Sequence, residues 1–202
     1  MESRPKRIAI IQGHPDDRGG HFAHALAEAY AAGALESGHE VRTINVAKLE
    51  FPLIRRRADL ERAAPPDTIR AAQAALLGAD HIVLVHPIWN GGVPALLRGF
   101  LEQTFRPAFM FPQARPGERL GFVSALRQRK ALAGKSGRII ATMQMPAFVY
   151  RWYFHPHPER NTFRLAGIRP VTESLIGLVE SPNQENRTRW LDRIHELGRR
   201  AA

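Results

Sequence analysis

The strongest constraint on the fold is an alternation of short, wholly apolar runs with helical stripes. "IAII" within residues 7–13, "HIVLV" from His81 and "RIIAT" within 136–143 place branched apolar side chains at consecutive positions. A strand that is apolar on both faces has to be covered on both faces, which implies a parallel sheet between two helical layers. The segments between the runs carry helical periodicity: Phe22, Leu26, Ala29, Tyr30 and Gly33 share one stripe. The stretch from Pro65 reads as a helix with Asp67 as N-cap and Gly78 closing it, and Pro94 suits the first turn of the next. Residues 39–49 alternate as a strand should, 169–179 supply a fifth strand, and Trp190, Ile194 and Leu197 mark a last amphipathic helix. The expected fold class is α/β, a doubly wound five-stranded parallel sheet with helices on both faces, for which the order 2-1-3-4-5 is suited. We expect one domain over residues 1–202, with irregular insertions rich in Pro, Arg and aromatics near 105–134 and 147–168. Insertions of that length tend to be functional or to form interfaces.

Composition narrows the function classes. No stretch approaches about twenty uninterrupted apolar residues, so neither membrane insertion nor a signal peptide is expected, and a cytoplasmic location is. The chain has no cysteine, which excludes disulfides, thiolate metal sites and a cysteine nucleophile. Any redox chemistry needs a borrowed cofactor. The formal charge of +10 permits anionic partners, but the arginines are scattered and no nucleic-acid-binding motif lies among them, so no nucleic acid is expected.

In such a sheet, ligands bind outside the carboxyl ends of the strands, near the point where strand order reverses. The loops after the first, third and fourth strands therefore matter. The first, "GHPDDRGGHF" over 13–22, offers backbone amides and a helix start as an anion nest, with His14, Arg18 and His21 adding donors or charge. Asp16 and Asp17 oppose an anion unless they point outward or cap the helix, and an ordinary polar turn is the alternative. After the third strand, "PIWNGG" over 87–92 ends the apolar run in a corner that offers backbone to something bound.

Other motifs fail on spacing or context. "AGKSG" over 133–137 has Arg where a phosphate-binding loop needs its first glycine, and it precedes a strand. "HPHPE" over 155–159 lacks metal-ligand spacing, so no metal is expected; a proton donor or a surface loop fits better. No G-x-S-x-G elbow is present.

Four stretches, "IIQGHPDDRGGHFAHALAEA", "VLVHPIWNGGVPALLRGFLEQTF", "GKSGRIIATM" and "FRLAGIRPVTESLIG", follow one another as in the flavodoxin-like NAD(P)H dehydrogenase (quinone) and NAD(P)H-dependent FMN reductase family, which the chain resembles over most of its length. The most specific match is Pro87, Trp89, Gly92, Pro94, Ala95 and Arg98. The resemblance implies a flavodoxin-like fold, a bound FMN or alternatively FAD, NADPH or NADH as donor, a quinone-like acceptor, and a homodimer with its sites at the interface. It further implies that His14, His21 and Phe22, with Arg18 beside them, hold the flavin phosphate. Pro87, Ile88, Trp89, Asn90 and Gly91 would run along the ring edge, and Thr142, Met143 and Gln144 would cover its other side. Tyr150 stands where such enzymes place a tyrosine that helps hydride transfer, and His155 or His157 stands near their histidine; Tyr150 and His155 are the expected catalytic pair. Two departures stand out: Asn90 follows Trp89 where a second aromatic is usual, and "TMQMP" replaces Thr-Ser/Thr-Gly-Gly. A different class remains open, a flavin-binding electron carrier or a regulatory subunit of the ion-efflux ancillary type.

Overall fold

The computed structural model describes residues 4–61, 64–112, 130–154, 157–180 and 184–202. Its strands are β1 (Arg7–Gln12), β2 (Glu40–Asn45), β3 (His81–Pro87), β4 (Ser136–Thr142) and β5 (Val171–Ile176). Between and after them come α1 (Phe22–Glu36), α2 (Arg57–Glu61), α3 (Asp67–Gly78), α4 (Ala95–Thr104), α5 (Pro107–Met110), α6 (Ala147–Phe154), α7 (Pro158–Ala166) and α8 (Gln184–Arg199). The strands form one parallel sheet, as the apolar runs predict, in the order β2-β1-β3-β4-β5 expected of the fold class.

Both faces of the sheet are covered, and the alternation within each strand shows how. Ile8, Ile10, Val83, Val85 and Ile140 turn to one layer, where α1 and α8 pack. Ala9, Ile11, Ile82, Leu84, Ile139 and Ala141 turn to the other, against side chains of α3, α4 and α7. The α1–α8 contact is unusually close, because a Cβ on Gly198 would lie 2.1 Å from the Tyr30 carbonyl oxygen and one on Gly33 2.0 Å from that of His195. Gly33 thus sits on the buried stripe because it has no side chain.

The register aligns the strand ends that carry the loops of interest. Gln12 of β1 pairs with Val85 of β3, and Pro87 of β3 pairs with Thr142 of β4. The strand order reverses between β1 and β3, and the crevice at that point opens between the loops that follow β1, β3 and β4.

The structure departs from the sequence reading in several places. Asp67 is the first helical residue of α3, not its N-cap; Pro66 takes the cap position, and the Asp67 carboxylate pairs with Arg70. Pro94 caps α4 from outside the helix. The second strand ends at Asn45, whose side-chain oxygen accepts from the Ala47 N–H at 3.2 Å and starts a 3-10 turn at Val46–Lys48. The insertion over 147–168 is not irregular: it folds into α6 and α7. In the other insertion, residues 113–129 lie outside the described ones. The false phosphate-binding motif is structural, since Lys135 donates to the carbonyls of Leu77 (2.8 Å) and Ala79. Among the described residues, no helix is long and apolar enough to cross a membrane.

Candidate functional site

A cavity of about 640 Å³ opens at the carboxyl end of the sheet. Its walls come from the three loops singled out in the sequence and from the connection after β5. Of the sequence-predicted residues, His14, His21, Phe22, Pro87, Ile88, Trp89, Thr142, Met143 and Gln144 line it. Arg18, Asn90, Gly91 and Tyr150 are not among its lining residues, and His155 lies outside the described residues.

The loop after β1 is held by its own polar groups. The Gln12 side-chain oxygen accepts from the His14 N–H (2.9 Å), and His14 Nδ1 accepts from the Asp16 N–H (3.1 Å). That second bond fixes the tautomer: Nδ1 keeps its lone pair, so neutral His14 carries its proton on Nε2. Nε2 has no hydrogen bond among the described residues, although His14 is 7% exposed and lines the cavity. The Asp16 carboxylate takes a bidentate bond from Arg18 and a 3.1 Å contact from His21 Nε2. The Arg18 and His21 bonds hold its carboxyl far below the usual range. Arg18 is thereby committed to Asp16 and turned to solvent, which explains its absence from the cavity wall.

Three imidazoles gather around this loop. His14 and His21 stack at 3.9 Å between centroids, and His24, one helical turn into α1, lies 5.1 Å from His14 and 5.6 Å from His21. Burial lowers the pKa of His14 below its ordinary value, reinforced by repulsion from His21 and His24; burial also lowers that of His24, with His21 adding to it. No side chain caps α1, so the N–H groups of Phe22 and Ala23, both on the cavity wall, are left for a ligand.

The corner after β3 is a tight two-residue turn. Trp89 and Gly92 exchange backbone bonds of 2.8 and 3.0 Å, with Asn90 at φ 50° and Gly91 at φ 80°. Asn-Gly is the pair that a turn with two positive φ values selects, so this signal was available in the sequence. Gly91 also serves packing: a Cβ there would meet the Phe154 ring at 2.7 Å. Trp89 is left about half exposed, its ring set edge-on to that of His14 with 6.1 Å between centroids.

Beneath the corner lies a second, closed cluster. Tyr150 of α6 is 1% exposed, stacks on Phe154 at 5.2 Å and lies 5.8 Å from the His157 ring. Burial, with Glu159 and Glu173 behind it, pushes its hydroxyl up to about 12, and that oxygen has no hydrogen-bond partner among the described residues. His157 is no surface residue: Nδ1 lies 2.7 Å from Glu159 Oε2, both side chains being fully enclosed, and His86 sits 5.2 Å away. Arg98, the basic residue of the sequence motif, reaches across from α4 to Glu159 Oε1 at 2.8 Å. Burial pushes the Glu159 carboxyl up, but His157, His86 and Arg98 together outweigh it and hold it below the ordinary value. Burial drives His86 down to about 4, so it is neutral.

Sequence reasoning missed Val179, Glu180 and Arg187, which close the cavity from the side of β5 and α8. Arg187 lies over the Phe22 ring at 4.5 Å. No local pattern marks these three; only the crossing of α8 over α1 brings them in. Among the described residues no three His, Asp or Glu side chains are placed to hold a metal.

Comparison with known proteins agrees with this architecture. A family model described as "Flavodoxin-like fold" matches residues 6–197. An uncharacterized NAD(P)H oxidoreductase of Haemophilus influenzae is 29% identical over 117 residues, 56% of this chain and 57% of that protein, so the match spans little more than half the relative's length. The NAD(P)H:quinone oxidoreductase from Methanothermobacter marburgensis superposes with a TM-score of 0.74 at 15% identity, over 97% of this chain and 96% of that one. An FMN-dependent NADH-azoreductase from Bacillus anthracis, solved in complex with FMN, gives 0.69 at 15% identity, over 97% and 99%.

Proposed function

The chain belongs to the flavodoxin-like fold family, and on that premise we propose that it is an NAD(P)H oxidoreductase that binds FMN and passes two electrons from NADPH or NADH to a quinone or similar small acceptor. The observation that carries this reading is a cavity that combines polar donors with apolar walls. His14 and the uncapped amides of Phe22 and Ala23 supply the donors, and Pro87, Ile88, Trp89 and Met143 supply apolar wall. A flat ring bearing a phosphorylated side chain needs both, and a volume of 640 Å³ falls within the range of small-molecule sites. The relatives named as acting with NAD(P)H and FMN support the choice of cofactor.

FMN bound here would supply the two-electron relay that the side chains of this chain lack. The residues have the tasks of holding and orienting. His14, His21 and the first turn of α1 hold the phosphate, and Pro87, Ile88 and Trp89 set the ring edge. Thr142, Met143 and Gln144 form the wall opposite. Asn90 and Gly91 shape the corner from behind, and Arg18 neutralises Asp16. Tyr150, protonated at physiological pH, keeps a proton at its hydroxyl beneath the corner, with His157, one of the two histidines expected near it, 5.8 Å away; His155 lies outside the described residues. The exposed Phe148, Trp152 and Tyr153 of α6 form the surface that a second copy would cover in a homodimer, and a cytoplasmic setting would supply NAD(P)H.

The test is direct. Protein purified with added FMN should retain a flavin spectrum after desalting, release FMN by mass, and oxidise NAD(P)H faster when a benzoquinone is supplied. Flavin retained without NAD(P)H oxidation would favour the carrier or regulatory alternative.

A further inference from the structure

The formal charges of the described residues around the cavity sum to zero. Asp16 pairs with Arg18, and the lining carries one further acid, Glu180, and one further base, Arg187, which lies over the Phe22 ring; Asp17 and Glu28, near Arg18 and His24, add only negative charge. The elements facing the loop from β3 and β4 contribute Trp89, Thr142, Met143 and Gln144, none of them ionisable, and among the described residues no lysine lines the cavity. A phosphate monoester is close to a dianion above pH 7. Such a ligand would therefore enter a site with amide and imidazole donors but, among the described residues, no surplus positive charge.

The three imidazoles are the groups that can supply it. His14 is committed as a neutral donor, because protonating Nδ1 would break its bond from the Asp16 N–H. His21 directs Nε2 at the Asp16 carboxylate, which leaves Nδ1 as an open lone pair, and His24 has both ring nitrogens buried without a partner among the described residues. His21 stacks on His14 at 3.9 Å and lines the same cavity, so an anion held by this loop would lie beside it, and a nearby opposite charge favours the charged form of an imidazole.

We propose that the His14–His21–His24 cluster is a proton-coupled phosphate receptor: the flavin phosphate binds together with a proton taken up on His21 or His24, so the cofactor is held more tightly as pH falls toward neutrality and loosens as it rises. This rests on the proposed FMN site. The direction follows from linkage. The bound cluster holds more protons than the free one, so affinity is lost as pH rises through the raised pKa of the bound state. His24, which does not touch the cavity, becomes part of the binding machinery through charge alone.

The test measures FMN binding by quenching of flavin fluorescence between pH 7.0 and 8.5, where the phosphate stays dianionic. Riboflavin, which has the same ring without the phosphate, is the control. The FMN Kd should rise by up to about tenfold per pH unit, while the riboflavin Kd stays constant. Calorimetry in two buffers of different ionisation enthalpy should report net proton uptake for FMN only. His24→Asn and, should that variant not fold, the exposed His21→Asn should flatten the pH dependence. FMN that binds tightly with no pH slope and no proton uptake overturns the proposal while leaving the FMN site intact, and would assign the charge to Arg187. Failure of both FMN and riboflavin to bind at any pH overturns the site itself.

Discussion

Two groups of histidines lie on either side of the corner at residues 87–92 and are handled in opposite ways. His86 and His157 are enclosed with Glu159, which Arg98 neutralises from outside. His14 and His21 are stacked on the wall of a cavity with His24 tilted beside them, and the carboxylate they contact, Asp16, is already claimed by Arg18. The first arrangement completes its own charge balance and belongs to the fold. On the proposed function, the second leaves its balance to a ligand. The contrast shows that residue type alone does not mark a binding site; what marks it is whether the protein supplies the counter-charge.

The largest expected effect that bears on this contrast comes from Glu159→Ala. Removing the carboxylate would leave the enclosed His157 without its partner while the partly exposed Arg98 turns to solvent, and a buried polar group left unsatisfied costs about 1–3 kcal/mol. Urea unfolding at pH 7 would measure it. A loss no larger than that from an exposed substitution would mean the closed cluster is not what stabilises this end of the sheet.

Acid should next separate the two groups. His86 has a folded pKa of about 4 against an ordinary value near 6.5, so between those values the unfolded chain binds the additional proton. Its stabilising contribution is fully present above about pH 6.5 and is lost as pH falls toward 4, with a slope of up to about 1.4 kcal/mol per pH unit. His81, at the opposite end of β3, acts in the same sense, since burial drives it to about 3. Unfolding free energies from pH 7 to pH 5 should therefore decline in the native chain and decline less steeply in His86→Gln. Parallel slopes for the two proteins would remove His86 from the account.

The smallest effect is expected at the open cluster. His21 is exposed and its loss leaves Asp16 bound to Arg18, so His21→Asn should change stability by no more than about 0.5 kcal/mol while weakening FMN. If His21→Asn destabilised the chain as much as Glu159→Ala, the division into a structural and a ligand-facing group would collapse.

Much of the scaffold was legible because its signals are local. Consecutive branched residues in "IVLV" can be buried only between two layers, and the β1, β3 and β4 cores appear where the runs lie. The loops that line the cavity were legible for the same reason, since they follow those strands. Less was readable in the insertion at 147–168, where aromatic and proline content disguised α6 and α7, and in "HPHPE", whose His157 and Glu159 proved to be interior groups. Arg18 shows the reverse error: as a charge in an anion-binding loop it suggested a ligand contact, yet Asp16 two residues earlier satisfies it first.

The sequence by itself determined the parallel sheet, its covering helices and the end at which a ligand would sit, because apolar periodicity and glycine or proline at strand ends act over a few residues. Which side chains meet there was decided only by tertiary structure. His157 reaches His86, Arg98 reaches Glu159, and Arg187 reaches Phe22 across elements far apart in the chain. Those meetings depend on strand register and helix crossing, set by the packing of the whole core, and no short stretch of sequence contains them.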